Sequence, residues 1–296
     1  MAETKTNLRQ GNAKINAQGI VSEKDLKIVT EEGKTKITGF VTIKTSDVNF
    51  LRFNVNVNEK TNSGADNRTY AGIKTVMEEY KTISEVGEEA ADKITVSGEL
   101  NLYRNSNSGQ EMVTYKGSFF NRLKNPEEYE PCANFEVEVF ISSINPEMDK
   151  DGNETGRVIV SGWLPTYSGI EPIKLVAESE VGQQIDSMFQ PGQTVEFYGS
   201  VVNNRIEKVT EIPVAIGKPR KKIETSFKNE LVIEGASEAY EEGVTPEKPY
   251  EMEVIKAAIQ ERENKIAEEK AKAQAGNAAA NKAKPSGAAK GRTLGF

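Results

Sequence analysis

No histidine occurs anywhere in this chain, and its one cysteine is Cys132. Without a second thiol no disulfide can form within the chain. Zinc sites built from Cys and His are excluded, and so are nucleophiles activated by a histidine. Cys132, in the stretch EPCANF, is expected to be a small buried apolar residue. Walker-type and G-x-G-x-x-G phosphate loops are missing. No apolar run approaches the roughly 18 residues a membrane span needs. The N-terminal MAETKTNLRQGN lacks the apolar stretch of a secretory signal, so a cytoplasmic location is expected. Tryptophan also occurs once, as Trp163. These gaps leave little for catalysis, and neither an enzyme nor a cofactor is expected.

What remains is polar and strand-like. Hydrophobic residues make up 36% of 296, and mean hydropathy is −0.56, which suits small cores with polar loops rather than one large enzyme core. The net charge of −7 is unevenly spread: −1 over residues 1–130, −9 over 131–250 and +3 over 251–296. A basic face can therefore coexist with an acidic one in the first part of the chain.

Alternation predicts strands in KTKITGFVTIKT, with Ile37, Val41 and Ile43 on one face and Lys36, Thr38, Phe40, Thr42 and Lys44 on the other. NFLRFNVNVN alternates in the same way, with Arg52 and a row of asparagines opposite Leu51, Phe53, Val55 and Val57. A helix is expected over YAGIKTVMEEYKTISEV, where Ile73, Val76, Met77 and Tyr80 recur at helical spacing. Two more strands, KITVSGELNLYRN and EMVTYKGSFFNRL, close the block. The order of three strands, a helix and two strands returns from about residue 134, with EVGQQIDSMF as the second helix.

The blocks also match by letter. Ile37–Val41 corresponds to Val160–Leu164, Leu51–Phe53 to Ile173–Leu175, and Val96–Leu100 to Phe197–Val201. Such ordered self-similarity points to an internal duplication. The layout is that of the OB-fold, a five-stranded, partly open barrel. The expected fold is mainly β: two OB-fold-like barrels, each with a helix between its third and fourth strands, then a C-terminal helix and a disordered tail. The expected division is a flexible segment 1–12, barrels at 13–130 and 131–236, and an acidic linker, helix and basic tail at 237–296. Gly39, Gly98, Gly162 and Gly199 fall where the barrel strands would bend.

Single-stranded nucleic acid is held by aromatic faces that stack on bases and cations that track phosphates. Phe40 lies on a polar strand face between Lys36 and Lys44. Arg52 shares the outer face of the next strand. Tyr103-Arg104, Lys116 and Arg122 belong to stretches that interleave aromatics with cations, and Trp163 and Tyr167 flank a turn in the second block. By the repeat, Trp163 occupies the position of Phe40. The run Gly217–Lys222 is basic enough for phosphates. Asp149–Glu154 has its glycine too early for a calcium loop and reads as a hairpin turn.

The Gly39-Phe40-Val41 and Gly162-Trp163-Leu164 strands, the segment Asn229–Ser237 and a low-complexity tail ending in Phe296 resemble bacteriophage single-stranded-DNA-binding proteins of Gram-positive hosts. The resemblance implies sequence-independent coating of single strands in phage DNA replication or recombination, in the host cytoplasm. It also implies a C-terminal hook for replication or recombination partners, for which Leu294 and Phe296 are the candidates. Better-known proteins of this kind end in an acidic tail, whereas this one ends basic. A phage structural or assembly protein, using its β-domains for protein contacts, stays open as the alternative.

Overall fold

The computed structural model describes residues 8–106, 108–212 and 220–282. Strands β1 (Ala13–Glu31), β2 (Lys34–Lys44), β3 (Phe50–Asn58), β4 (Lys93–Arg104) and β5 (Glu111–Arg122) close into a barrel. All neighbours pair antiparallel except β3 and β5, which meet in parallel at Phe53–Tyr115. Strands β6 (Cys132–Met148), β7 (Glu154–Thr166), β8 (Gly169–Ala177), β9 (Thr194–Ile212) and β10 (Arg220–Ala236) repeat that order, including the parallel contact, here between β8 and β10. Both units have OB-fold topology. The alternating residues read from the sequence line the interiors: Ile37, Val41, Ile43, Leu51 and Phe53 are fully buried, as are Val160, Leu164 and Leu175 in the second barrel.

The repeat falls on equivalent strands. Gly98 of β4 and Gly199 of β9 each sit beside a β-bulge, where pairing steps from Ser97–Phe119 to Gly98–Gly117 and from Ile233–Gly199 to Gly235–Tyr198. A Cβ on Gly98 would lie 2.0 Å from the Lys116 carbonyl oxygen, and one on Gly199 2.0 Å from that of Val232. No side chain fits there, which is why both copies keep glycine.

The helical segment of the first block is two helices rather than one. Helix α1 (Arg68–Glu79) ends at Tyr80, and α2 (Ile83–Val86) starts afresh with a Thr82–Glu85 capping box. The break is held by Asp92, which accepts from the Lys81 amide at 2.7 Å, and by Tyr80, whose hydroxyl donates to the Phe120 carbonyl. Helix α3 (Ser179–Met188) caps the second barrel with Ile185. Asp149–Asn153 is a hairpin turn, its carboxylate accepting from the Asp151 and Asn153 amides. Cys132 is half-buried, not buried as expected: it opens β6 opposite Gln18, at the edge of the seam between barrels, where the strand ladder ends.

The barrels join through β1 and β6, which pair antiparallel over Ala13–Gln18 and Cys132–Val137. The β2–β3 loop adds a second junction: the Asn49 side chain bonds the Val201 carbonyl at 3.1 Å and accepts from the Asn203 amide at 2.8 Å. One buried cluster runs through both interiors. Helix α4 (Met252–Lys282) lays Ile255, Ala258 and Ile259 against Phe140, Ile170, Trp163 and Tyr250. The chain's first described residues return to the second barrel, where Arg9 pairs with Glu138, 2% exposed, and stacks on Tyr250. Among the described residues, no helix is long and apolar enough to cross a membrane, and no cluster of His, Cys, Asp and Glu is placed to hold a metal.

Candidate nucleic-acid interface

Strands β3 to β8, with Asn203 of β9 and Asn229–Leu231 of β10, enclose a groove of about 880 Å3 between the barrels. Its walls mix aromatic and aliphatic surface (Trp163, Tyr103, Tyr115, Val113, Pro172) with amides from Asn54, Asn203 and Asn229. Alternation explains the arrangement: each strand buries one face in its barrel and turns the other to the groove.

The charges in this groove are distributed unequally. Three carboxylates line it, and each has a cation. Glu111 meets Arg262 at 2.8 Å and Arg104 at 3.2 Å; Glu147 meets Arg157 at 3.1 Å; Glu230 meets Arg157 at 2.5 Å and Lys228 at 3.1 Å. Burial alone would raise Glu230, but hydrogen bonds from Arg157 and Lys228 outweigh it and hold the carboxyl below its usual range. Two cations line the groove, Arg52 and Lys174, and neither has a carboxylate within ion-pair distance among the described residues. Arg52 instead lies over the Phe40 ring, 3.4 Å from its centroid. Arg157 is shared further with Glu178 at 3.2 Å and Arg262 with Glu171 at 2.8 Å, so these ion pairs nearly cancel, and Arg52 and Lys174 are the lining cations left over.

Of the residues expected from sequence, Arg52, Tyr103 and Trp163 line this groove, and Phe40 supports Arg52. Trp163 is half-buried, with the α4 cluster on one side and the groove on the other. The remaining cations are paired elsewhere. Lys36 bonds Glu31 at 2.7 Å, Lys44 bonds Glu88 at 2.8 Å and Asp47 at 2.9 Å, and Lys116 faces Glu99 at 3.7 Å. Arg122 bonds Asp92 at 2.9 Å and stacks on Tyr80, and the Asp92 hydrogen bond raises its pKa further. Arg104 reaches a smaller cavity beside Arg262. Tyr167, 96% exposed, stands at the β7–β8 turn outside the groove lining. Lys221 and Lys222 are exposed on β10; the rest of that basic run through residue 219, and Leu294 and Phe296, lie outside the described residues.

Lys174 was not among the expected residues. Its signal was in the repeat: Leu51-Arg52-Phe53 matches Ile173-Lys174-Leu175, so the equivalence that promoted Trp163 applies to it as well. A single lysine on an alternating strand otherwise reads as a solvated face.

The YorF family model matches residues 12–272, and the chain belongs to that family. No curated protein matches it in sequence. Among solved structures it is similar to the wild-type single-stranded DNA binding protein from Thermus aquaticus, at 11% identity and a TM-score of 0.47, over 81% of this chain and 98% of that one. A deletion mutant of the same protein gives the same identity and TM-score, over 81% and 100%.

Proposed function

We propose that this YorF-family chain binds single-stranded DNA without sequence preference, making and breaking no bond, and serves phage DNA replication or recombination in the host cytoplasm. The observation that carries this reading is the contrast between compensated carboxylates and uncompensated cations in the inter-barrel groove. Arg52 and Lys174 are free to take phosphates, releasing counterions as they do so. Trp163 and Tyr103 offer faces on which unpaired bases stack, each worth about 1–3 kcal/mol. Phe40 holds the Arg52 guanidinium over its ring, and Tyr167 adds an exposed aromatic at the β7–β8 turn. Lys36, Lys44, Arg104, Lys116 and Arg122 would contribute only after leaving their carboxylates. Leu294 and Phe296 would take the partner contact.

The test follows Trp163, the single tryptophan, during titration with fluorescent oligo-dT and with duplex of equal length at two salt concentrations. Quenching of Trp163 by the single strand, weaker at higher salt and weaker with duplex, is expected. Absence of binding at low salt overturns the reading and leaves an assembly protein as the better one.

A further inference from the structure

The two halves of the groove are related by a two-fold axis, and the register of the strands locates it. Ile15 pairs with Gly98 in the first barrel, and Phe135 pairs with the equivalent Gly199 in the second. Ile15 and Phe135 are therefore counterparts, and they are also direct partners across the antiparallel β1–β6 ladder. An antiparallel ladder centred on equivalent residues has a two-fold axis through that pair. The groove lining obeys it: Arg52 is matched by Lys174, Asn54 by Val176, and Tyr115 by Leu231, all six facing the same cavity.

A nucleic-acid strand has a direction, and one running from Arg52 to its counterpart Lys174 crosses the axis at right angles, so the two-fold rotation reverses it. Whatever direction suits the Arg52 half is the wrong one for a continuous strand at the Lys174 half. Two segments running antiparallel satisfy both halves at once. We propose that the groove holds two antiparallel single-stranded segments, one on Arg52 and one on Lys174, and that the chain thereby anneals complementary strands. This rests on the single-strand-binding reading above. Complementary strands must approach antiparallel, and two uncompensated cations, one per segment, lower the phosphate repulsion between them. Segments held in one groove meet at about millimolar effective concentration.

The full chain is titrated with oligo-dT of roughly eight nucleotides, within the range one OB barrel covers. Two oligonucleotides per chain are expected, falling to one in Arg52→Ala and to one in Lys174→Ala. With a donor on one oligo-dT's 5′ end, energy transfer should be higher to an acceptor on the other's 3′ end than to one on its 5′ end. Complementary oligonucleotides should anneal at least about tenfold faster with the wild-type chain than with either variant. One oligonucleotide per chain, weakened by both substitutions, overturns the two-segment arrangement while leaving single-strand binding intact. Equal transfer to both acceptor ends overturns the antiparallel sense. No binding of any oligonucleotide overturns this proposal together with the reading it rests on.

Discussion

The guanidinium of Arg52 lies 3.4 Å from the centroid of the Phe40 ring, with no carboxylate among the described residues to share it. Phe40 and Arg52 come from adjacent strands, offset by one alternation step, since Phe40 pairs with Asn54 and Thr42 with Arg52. This diagonal placement lets a long side chain fold over the ring. The cation is thus held in position while remaining electrostatically available.

Arg52→Ala is expected to weaken oligo-dT binding about tenfold and to lower the salt slope by about 0.7, the share of one phosphate contact on a single strand. Lys174→Ala should behave alike. Lys44→Ala and Lys116→Ala, whose side chains already face Glu88 and Glu99, should leave affinity within about twofold. Anisotropy titrations over a salt series check this. Equal losses at all four positions would show a diffuse electrostatic surface instead of the groove.

Gly98→Ala should destabilise the chain by at least about 3 kcal/mol, because its Cβ would meet the Lys116 carbonyl and the strands cannot part without opening the barrel. Gly199→Ala should do the same in the second barrel. Gly72→Ala, in α1 with nothing within 4 Å of the new methyl group, should instead stabilise by about 0.5–1 kcal/mol. Urea unfolding of the three variants decides it, and a Gly98→Ala protein as stable as wild type would refute the close approach.

The strands, the repeat and the bulge glycines Gly98 and Gly199 were legible because each is a local pattern: alternation repeats every two residues, and a glycine marks its own backbone. The state of the cations was not. Lys44 is neutralised by Glu88 and Arg122 by Asp92, partners 44 and 30 residues away, which no spacing rule connects. The groove itself arises from a β1–β6 pairing between the two copies of the repeat, so neither copy alone reveals it. The same holds for α4, whose thin apolar face gave no sign that it would seat beside Trp163.

Arg262 joins the two barrels from α4, bonding Glu171 of β8 and Glu111 of β5, each at 2.8 Å. Burial raises the Glu171 pKa more than Arg262 lowers it, so its ionised form is a net cost at neutral pH. Glu171→Gln should therefore leave Tm unchanged or raise it. Arg262→Gln should cost about 1–3 kcal/mol, since it leaves a half-buried carboxylate without its partner. Thermal unfolding of both variants checks the asymmetry, and a larger loss from Glu171→Gln would contradict it.

Tyr115 connects the first barrel's core to the groove wall, its ring 5.9 Å from that of Phe53. Burial pushes its phenol up to about 12, against about 10 in an unfolded chain. A group whose pKa is raised by folding contributes stability that is complete below the unfolded value and is lost as pH climbs to the folded one. Tyr115 should therefore cost the fold about 2 to 3 kcal/mol between pH 10 and 12 and nothing at neutral pH. Tyr115→Phe keeps the ring packing and removes the ionisation, so urea midpoints of the variant should fall less steeply in that window than those of wild type. Tyr240, also raised to about 12 by burial, accounts for part of the slope that remains. Coincident midpoints across the window would mean that the Tyr115 hydroxyl is solvated. In that case it would turn toward the groove, where its ionisation should instead weaken oligo-dT binding at alkaline pH.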